Sequence, residues 1–194
     1  MTDKPPARRR NAVATRLEIL ASARSCFARF GYDGAGLREI AKGAGVTAML
    51  VKRYFGSKEE LFAEVIAETM ATPTILAPDN LTAPNLGKVF ASALVGLTET
   101  SSTPLDGFLI MLHSASSERA AAIGREQIER FHHKTLESLL SGQLTAERAA
   151  LILSLISGFQ VMRQMMGLKA LAEADPEALA ELLAPLFQRL IDGQ

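Results

Sequence analysis

Residues 45 to 61 read GVTAMLVKRYFGSKEEL. Three cations, Lys52, Arg53 and Lys58, stand among Met49, Leu50, Val51, Tyr54 and Phe55. Long cationic side chains interleaved with apolar ones on a short helical run suit the surface of a polyanion, with the apolar residues turned toward a core. Other chemistry finds less material. Cys26 is the single cysteine, so it forms no internal disulfide, and it lies in a helical pattern as a small packing residue. His132 and His133 are adjacent, so they diverge on a helix and make a poor metal pair. No GxSxG, P-loop, GxGxxG or HExxH run occurs. The expectation is no enzyme, no cofactor and no metal.

Charge divides the chain in two. The 194 residues hold 21 basic and 21 acidic side chains. Residues 1–58 hold 12 of the basic and 4 of the acidic ones, a balance of +8; the remainder holds 9 and 17, a balance of −8. That division points to a basic module meeting a polyanion, attached to an acidic partner domain. Apolar residues at 48% and charged residues at 22% fit a globular protein with a sizeable core. No apolar run reaches the roughly 18 residues of a membrane span. MTDKPPARRR lacks the apolar stretch of a secretory signal, so a cytoplasmic location is expected.

The elements that position these residues are all helical by pattern. Val13, Leu17, Leu20, Phe27 and Phe30 recur at helical spacing over about 12–30, and Gly31 supplies the stop. A second helix spans about 37–44 and ends at Gly45. A third begins near Thr47 as N-cap and runs to about Phe55. Ser57-Lys58-Glu59-Glu60 has the spacing of a capping box, which opens a fourth helix to about Met70. Pro73, Pro78 and Pro84 mark residues 71–84 as a loop or broken element and a module boundary. Helical patterns resume at about 84–99, 104–114, 117–141, 145–168 and 176–191, the last opened by Asp175-Pro176-Glu177.

Leu37 to Tyr54 therefore forms two short helices joined by a tight turn. Ile40, Val46 and Val51 face inward, Ala41 is small where the helices cross, and Gly45 takes positive φ at little steric cost. This is the helix-turn-helix pattern, whose second helix enters the DNA major groove; a plain two-helix hairpin shares the spacing. The neighbouring residues narrow the choice. Arg16, Ile19, Leu20, Ala23, Phe27, Gly31, Tyr32, Ile40, Ala41, Ala44, Gly45, Val46, Tyr54, Phe55, Ser57, Lys58, Glu60 and Leu61 together resemble the N-terminal domain of the TetR family of transcriptional regulators, over about residues 13–66. The rest of the chain agrees with that family in length and helical character.

The resemblance implies an all-α fold. In it an N-terminal three-helix helix-turn-helix DNA-binding domain is joined by a fourth helix to a helical C-terminal ligand-binding and dimerisation domain. The corresponding segments are a basic flexible arm at 1–11, the DNA-binding domain at 12–56, and a helical regulatory and dimerisation domain at 57–194. The implied function is sequence-specific DNA-binding transcription regulation by a repressor, released from a palindromic operator by a small-molecule effector. A ligand-independent architectural or interaction protein on DNA is the alternative, and an activator shares the same sequence features as a repressor. Three places depart from the family pattern. Gly36 stands where many relatives cap the second helix with Ser or Thr, Lys52 stands where Tyr is frequent, and Met49 and Leu50 stand where small or polar residues are common.

Arg38, Lys52, Tyr54 and Lys58 are the phosphate candidates; Lys58 lies in the first turn of the fourth helix, whose amides also suit an anion. Thr47, Ala48, Met49 and Arg53 are the candidates for base edges, and Arg53 serves a phosphate equally well. Arg8, Arg9 and Arg10 suit a minor groove, or form a solvated tail. One such module offers few base contacts, so specificity calls for two, about 34–36 Å apart. A homodimer on double-stranded DNA is expected. The candidate interface residues are Ile152, Ile156 and Phe159 with Leu179, Leu182, Leu183 and Leu186, stripes that serve as subunit core just as well. A small hydrophobic effector has candidate partners in Phe108, Met111, His113, Phe131, Met162 and Met166, since methionine adapts to irregular apolar shapes. Such a Met and Phe stripe is more often core, and His113 reads more readily as a satisfied core or interface histidine.

Overall fold

The computed structural model describes residues 7–71, 73–99 and 105–193. Every regular element among them is helical. In chain order they are α1 (Ala7–Gly34), α2 (Leu37–Gly43), α3 (Ala48–Phe55), α4 (Lys58–Met70), α5 (Pro78–Leu81) and α6 (Leu86–Leu97). Then follow α7 (Asp106–Ser114), α8 (Glu118–Ile128), α9 (Lys134–Leu139), α10 (Thr145–Gln160), α11 (Lys169–Ala172) and α12 (Pro176–Asp192). Single π-helical turns occupy Glu129–His133 and Val161–Met165. The chain packs as two compact units, one of Met1–Thr69 with Leu105–Gln127, the other of Met70–Pro104 with Ile128–Gln194. The first unit thus takes in α4 and α7, which the sequence reading groups with the regulatory segment.

Helix α1 begins at Ala7, so the backbone of Arg8–Arg10 is helical and the segment expected as an arm is partly regular. Ala7, Ala12 and Ala14 are strong helix formers, and the last proline, Pro6, precedes them. Gly31 breaks α1 at φ 66, ψ −178, where the sequence reading stops it. A β-carbon there would lie 2.3 Å from the His113 carbonyl oxygen, so the site needs glycine for its backbone angle and for the closeness of α7. Below the break, Phe27 and Tyr32 both meet the Phe62 ring, each with centroids 5.0 Å apart and edge to face. Ile19, Ile40, Leu61, Ile66 and Ile110 are fully buried around them.

In the second unit α6 and α12 lie against each other. Phe90 meets Phe187 edge to face at 6.0 Å, and Leu94, Leu136, Ile152 and Leu183 fill the core beside them. Gly87 lets α12 come close: its N–H donates to Gln188 Oε1 at 3.0 Å. Two arginines are buried here. Arg148 donates to the carbonyls of Gln143, Ser141, Leu190 and Ile191, a cation placed on the end of α12 where the helix leaves its last carbonyls unpaired. Arg163 donates to the carbonyls of Leu171 (3.1 Å) and Val95 (2.7 Å) and to Thr98 Oγ1 (3.1 Å). His132 is partly buried with no partner for Nδ1, and burial pushes its pKa down. His133 takes a different environment, donating from Nε2 to the Ala146 carbonyl at 2.9 Å. Residues 71–84, expected as a loop or broken element, contain the one-turn helix α5 on Pro78, and α11 adds a turn that the pattern did not indicate.

Gly87 and Gly96 share α6 and separate packing from propensity. A β-carbon at Gly87 would fall 2.7 Å from the Ala184 carbonyl and 2.8 Å from the Gln188 backbone nitrogen, whereas one at Gly96 meets nothing within 4 Å. Gly87→Ala is expected to cost about 2 kcal/mol through overpacking. Gly96→Ala is expected to gain about 0.5–1 kcal/mol through lost unfolded-state freedom. Thermal and urea unfolding of the two variants reads the opposite signs; a neutral Gly87→Ala would mean that α12 yields at this contact.

Candidate nucleic-acid interface

Helices α2 and α3 are fixed by what they bury: Ile40 and Ala41 on one, Val51 and Phe55 on the other. Between them Gly45 N–H donates to the Lys42 carbonyl (3.2 Å) and Val46 N–H to the Ala41 carbonyl (2.9 Å), closing the turn around Gly45 at φ 65. Thr47 caps α3, its Oγ1 accepting from Leu50 N–H at 3.3 Å. Ser22 on α1 donates to the Ile40 carbonyl at 2.8 Å and so pins α2. With Val51 and Phe55 turned inward, helical periodicity turns Met49, Lys52 and Arg53 out, Met49 with 81% of its surface exposed. Arg16 ties three helices together: from α1 it stacks 4.9 Å over the Phe55 ring of α3 and pairs with Glu64 of α4.

The start of α4 carries a second constellation. Ser57 N–H donates to Glu60 Oε2 (2.7 Å) and Glu60 N–H to Ser57 Oγ (3.1 Å), the reciprocal capping box that the sequence indicates. Lys58 Nζ lies 4.5 Å from the centroid of the Tyr32 ring. Burial first, and then the nearby Glu59 carboxylate, raise the Tyr32 phenol's pKa, while the Arg119 guanidinium acts in the opposite direction. Glu59 itself is held below the usual carboxylate range, chiefly by its own backbone amide and then by the Tyr32 hydroxyl and the Arg119 charge. Arg119, in the first turn of α8, forms an ion pair with Glu59.

The same corner between α7 and α8 grips the end of α1. His113 donates from Nδ1 to the Ala28 carbonyl (2.6 Å), Tyr32 N–H donates to Ser114 Oγ (2.9 Å), and the Ser117 hydroxyl donates to Asp33 Oδ1 (3.3 Å).

The residues expected at DNA gather on this unit. Thr47, Met49, Lys52 and Arg53 are exposed on α3 or at its cap, and Arg38 is exposed on α2. Ala48, Tyr54 and Lys58 are half-buried, with Arg53 5.8 Å over the Tyr54 ring. The effector candidates divide between the two units. Phe108, Met111 and His113 belong to the first unit and Phe131, Met162 and Met166 to the second. His113 is a strut to Ala28, and Met166 is 71% exposed because it follows the π turn at the end of α10.

The dimer candidates divide between core and surface. Ile152, Ile156, Phe159, Leu179 and Leu183 are buried in the second unit's own core; Leu182 and Leu186 are exposed, Leu182 by 70%. On α10 the exposed apolar residue is Leu151, one step from the buried Ile152, and a single step turns a side chain by about 100°. Sequence reasoning also missed Glu59 and Arg119. Glu59 reads as an ordinary first-turn acid, and nothing in the sequence couples it to a residue 60 positions away.

An all-helical chain that presents a capped, cationic recognition helix from a helix-turn-helix defines a DNA-binding regulator class. Residues 19–65 match the family model described as bacterial regulatory proteins, tetR family, and residues 84–191 match that described as tetracyclin repressor-like, C-terminal domain. The chain belongs to the TetR family of regulators. Its N-terminal part is similar to the HTH-type transcriptional repressor AcnR of Corynebacterium jeikeium, 39% identical over 64 residues, 33% of this chain and 34% of that protein. It is also similar to the HTH-type transcriptional repressor SCO4008 of Streptomyces coelicolor, 38% identical over 69 residues, 36% of each chain. These matches span about a third of the relatives' length. The fold as a whole is similar to the crystal structure of the TetR-family regulator SCO0857 from Streptomyces coelicolor, with a TM-score of 0.63 at 23% identity over 98% of this chain and 99% of that one.

The capping box that opens α4 gives a direct stability test. Ser57→Ala removes the acceptor of Glu60 N–H and is expected to cost about 1 kcal/mol, while Ser57→Asp keeps an acceptor and most of the stability. Equilibrium unfolding in urea compares the three proteins; equal midpoints would show that water replaces the cap at no cost.

Proposed function

We propose that the chain is a homodimeric repressor that holds a palindromic operator and releases it when a small apolar molecule binds. The observation that carries this reading is the outward face of α3, where Met49, Lys52 and Arg53 stand beyond a core that fixes the helix on its opposite side. Lys52, Tyr54, Lys58 and Arg38 are assigned to backbone phosphates, and Thr47, Ala48, Met49 and Arg53 to base edges in the major groove. Met49 offers its thioether and methyl to a thymine methyl, and lysine at position 52 supplies a point charge that salt screens strongly. The named relatives are repressors, which supports the sign of regulation and the absence of an enzymatic role. DNA as partner implies a cytoplasmic location. No helix among the described residues is long and apolar enough to cross a membrane.

Exposed apolar residues on the last long helices support the second copy: Leu151 on α10, and Leu182 and Leu186 on α12. A four-helix isologous interface would bury them. The partly buried Phe108, Met111 and Phe131 favour an apolar effector.

Selection of bound duplexes from a random pool at near-physiological salt tests the DNA reading. Wild type is expected to enrich a palindrome, and Arg53→Ala to relax one position symmetrically in both halves, losing about 1–3 kcal/mol of discrimination there. Unenriched DNA from wild type would replace sequence-specific regulation with an architectural role.

Leu182→Glu, which places a charge at the centre of the expected interface, should convert a dimer to a monomer in sedimentation. It should also abolish preference for the full palindrome over a half-site. A variant that stays dimeric would move the interface elsewhere.

A further inference from the structure

Residues 105–127 belong by sequence to the C-terminal family domain and by packing to the unit that carries the recognition helix. Within that unit, Arg119 is 60 positions from its partner Glu59, and its guanidinium is engaged on that carboxylate. Glu59 is the chain neighbour of Lys58, the cation at the start of α4 that the proposed function assigns to a DNA phosphate. Lys58 lies over the Tyr32 ring, 4.5 Å from its centroid, and the Tyr32 hydroxyl in turn faces Glu59.

We propose that Arg119 is a positioning residue for DNA binding: by holding the Glu59 carboxylate, it keeps Glu59 from pairing with Lys58 and leaves that ammonium on the Tyr32 face, free for a phosphate. The reading rests on the assignment of Lys58 to a phosphate. The physical basis is charge compensation. A carboxylate fixed by a guanidinium has its charge compensated and its lone pairs occupied, so it competes poorly for a neighbouring ammonium. Lys58 over the Tyr32 face and Glu59 near the same phenol converge on one ring although they are chain neighbours, so a Glu59 freed when α8 withdraws Arg119 can turn to Lys58. The internal ion pair then replaces the contact to DNA. Arg119 thus gives the C-terminal family domain a handle on one DNA-contacting charge, without any movement of the recognition helix itself.

The test uses the full-length protein and a fluorescent duplex of mixed sequence, because a phosphate contact acts on every sequence alike. Affinities are measured across a salt series for wild type, Arg119→Gln, Lys58→Ala, Glu59→Gln/Arg119→Gln and Arg119→Gln/Lys58→Ala. The expected result is about threefold weaker binding for Arg119→Gln, with the slope of log affinity against log salt reduced by about one. Removing the competing carboxylate in Glu59→Gln/Arg119→Gln should restore both, and Arg119→Gln should add nothing once Lys58 is alanine. Arg119 is largely exposed, so its variants are expected to keep the wild-type melting curve. Unchanged binding for Arg119→Gln with weakened binding for Lys58→Ala would overturn the positioning role and leave the phosphate assignment intact. Weakening by Arg119→Gln that persists in the Lys58→Ala background, or that Glu59→Gln fails to reverse, would show that Arg119 acts through its own charge. If Lys58→Ala binds as wild type does, the phosphate assignment falls, and the proposal with it.

Discussion

Seven- and eight-residue helices do not persist alone in water: the nucleation cost exceeds what so few hydrogen bonds return, and isolated helices below about 12–15 residues are marginal even in good sequences. Helices α2 and α3 have those lengths, so the whole DNA-facing surface depends on tertiary burial. Ile40, Ala41, Val51 and Phe55 provide it. Each of these side chains gains roughly 1.5–3 kcal/mol if large and well enclosed, less for alanine, which is enough to hold the pair but leaves little to spare. Arg16 shows how the margin is used. One guanidinium covers the Phe55 ring and meets Glu64, so the orientation of α3 is referred to both long helices of its unit. The outward residues are then free to be polar, since none of them is needed for the fold.

This dependence also explains what the sequence made legible. Gly31, Gly45, Thr47 and the Ser57–Glu60 box each solve a local backbone problem, and local problems leave a mark at fixed spacing. The three-helix module, the fourth helix and most later helices could be placed for that reason. What could not be read were decisions made by partners far along the chain. Ile152 and Leu151 differ by one step on α10 and both look like core, yet only Ile152 has α6 and α12 around it. Glu59 has no local mark that sends it to Arg119. His113, in an apolar run, reads as a pocket group or as a satisfied histidine, and its partner, the Ala28 carbonyl 85 positions away, leaves no mark in the sequence. The π turns at 129–133 and 161–165 leave no composition signal, and they shift the faces of the residues that follow, Met166 among them.

The buried arginines of the second unit follow the same economy of helix ends. Arg148 donates to four backbone carbonyls, and Arg163 to the carbonyls of Leu171 and Val95 and to the Thr98 hydroxyl. A helix terminus carries about half a negative charge on unpaired carbonyls, so the Arg148 guanidinium at the end of α12 is compensated without a second ion being desolvated. An ion pair buried in the same place would desolvate two charges instead of one. The arrangement also fixes geometry, because the planar fork engages carbonyls from several separate segments at once.

Magnitudes decide which contacts near α1 are suited to change. The Phe27–Tyr32–Phe62 cluster buries three large rings, and losing it would cost more than any effector's differential affinity supplies. The bonds from His113, Ser114 and Ser117 to the Ala28–Asp33 segment are of another size, each net roughly 0.5–1.5 kcal/mol. Couplings between sites in allosteric proteins typically amount to about 1–3 kcal/mol. Remaking two of these bonds therefore spans that range, while the aromatic cluster stays closed and keeps α1 and α4 together. Under the proposed release by an effector, the switch would lie at the rim: the core that holds α3 is too costly to disturb, and the polar corner around it is inexpensive enough to be remade.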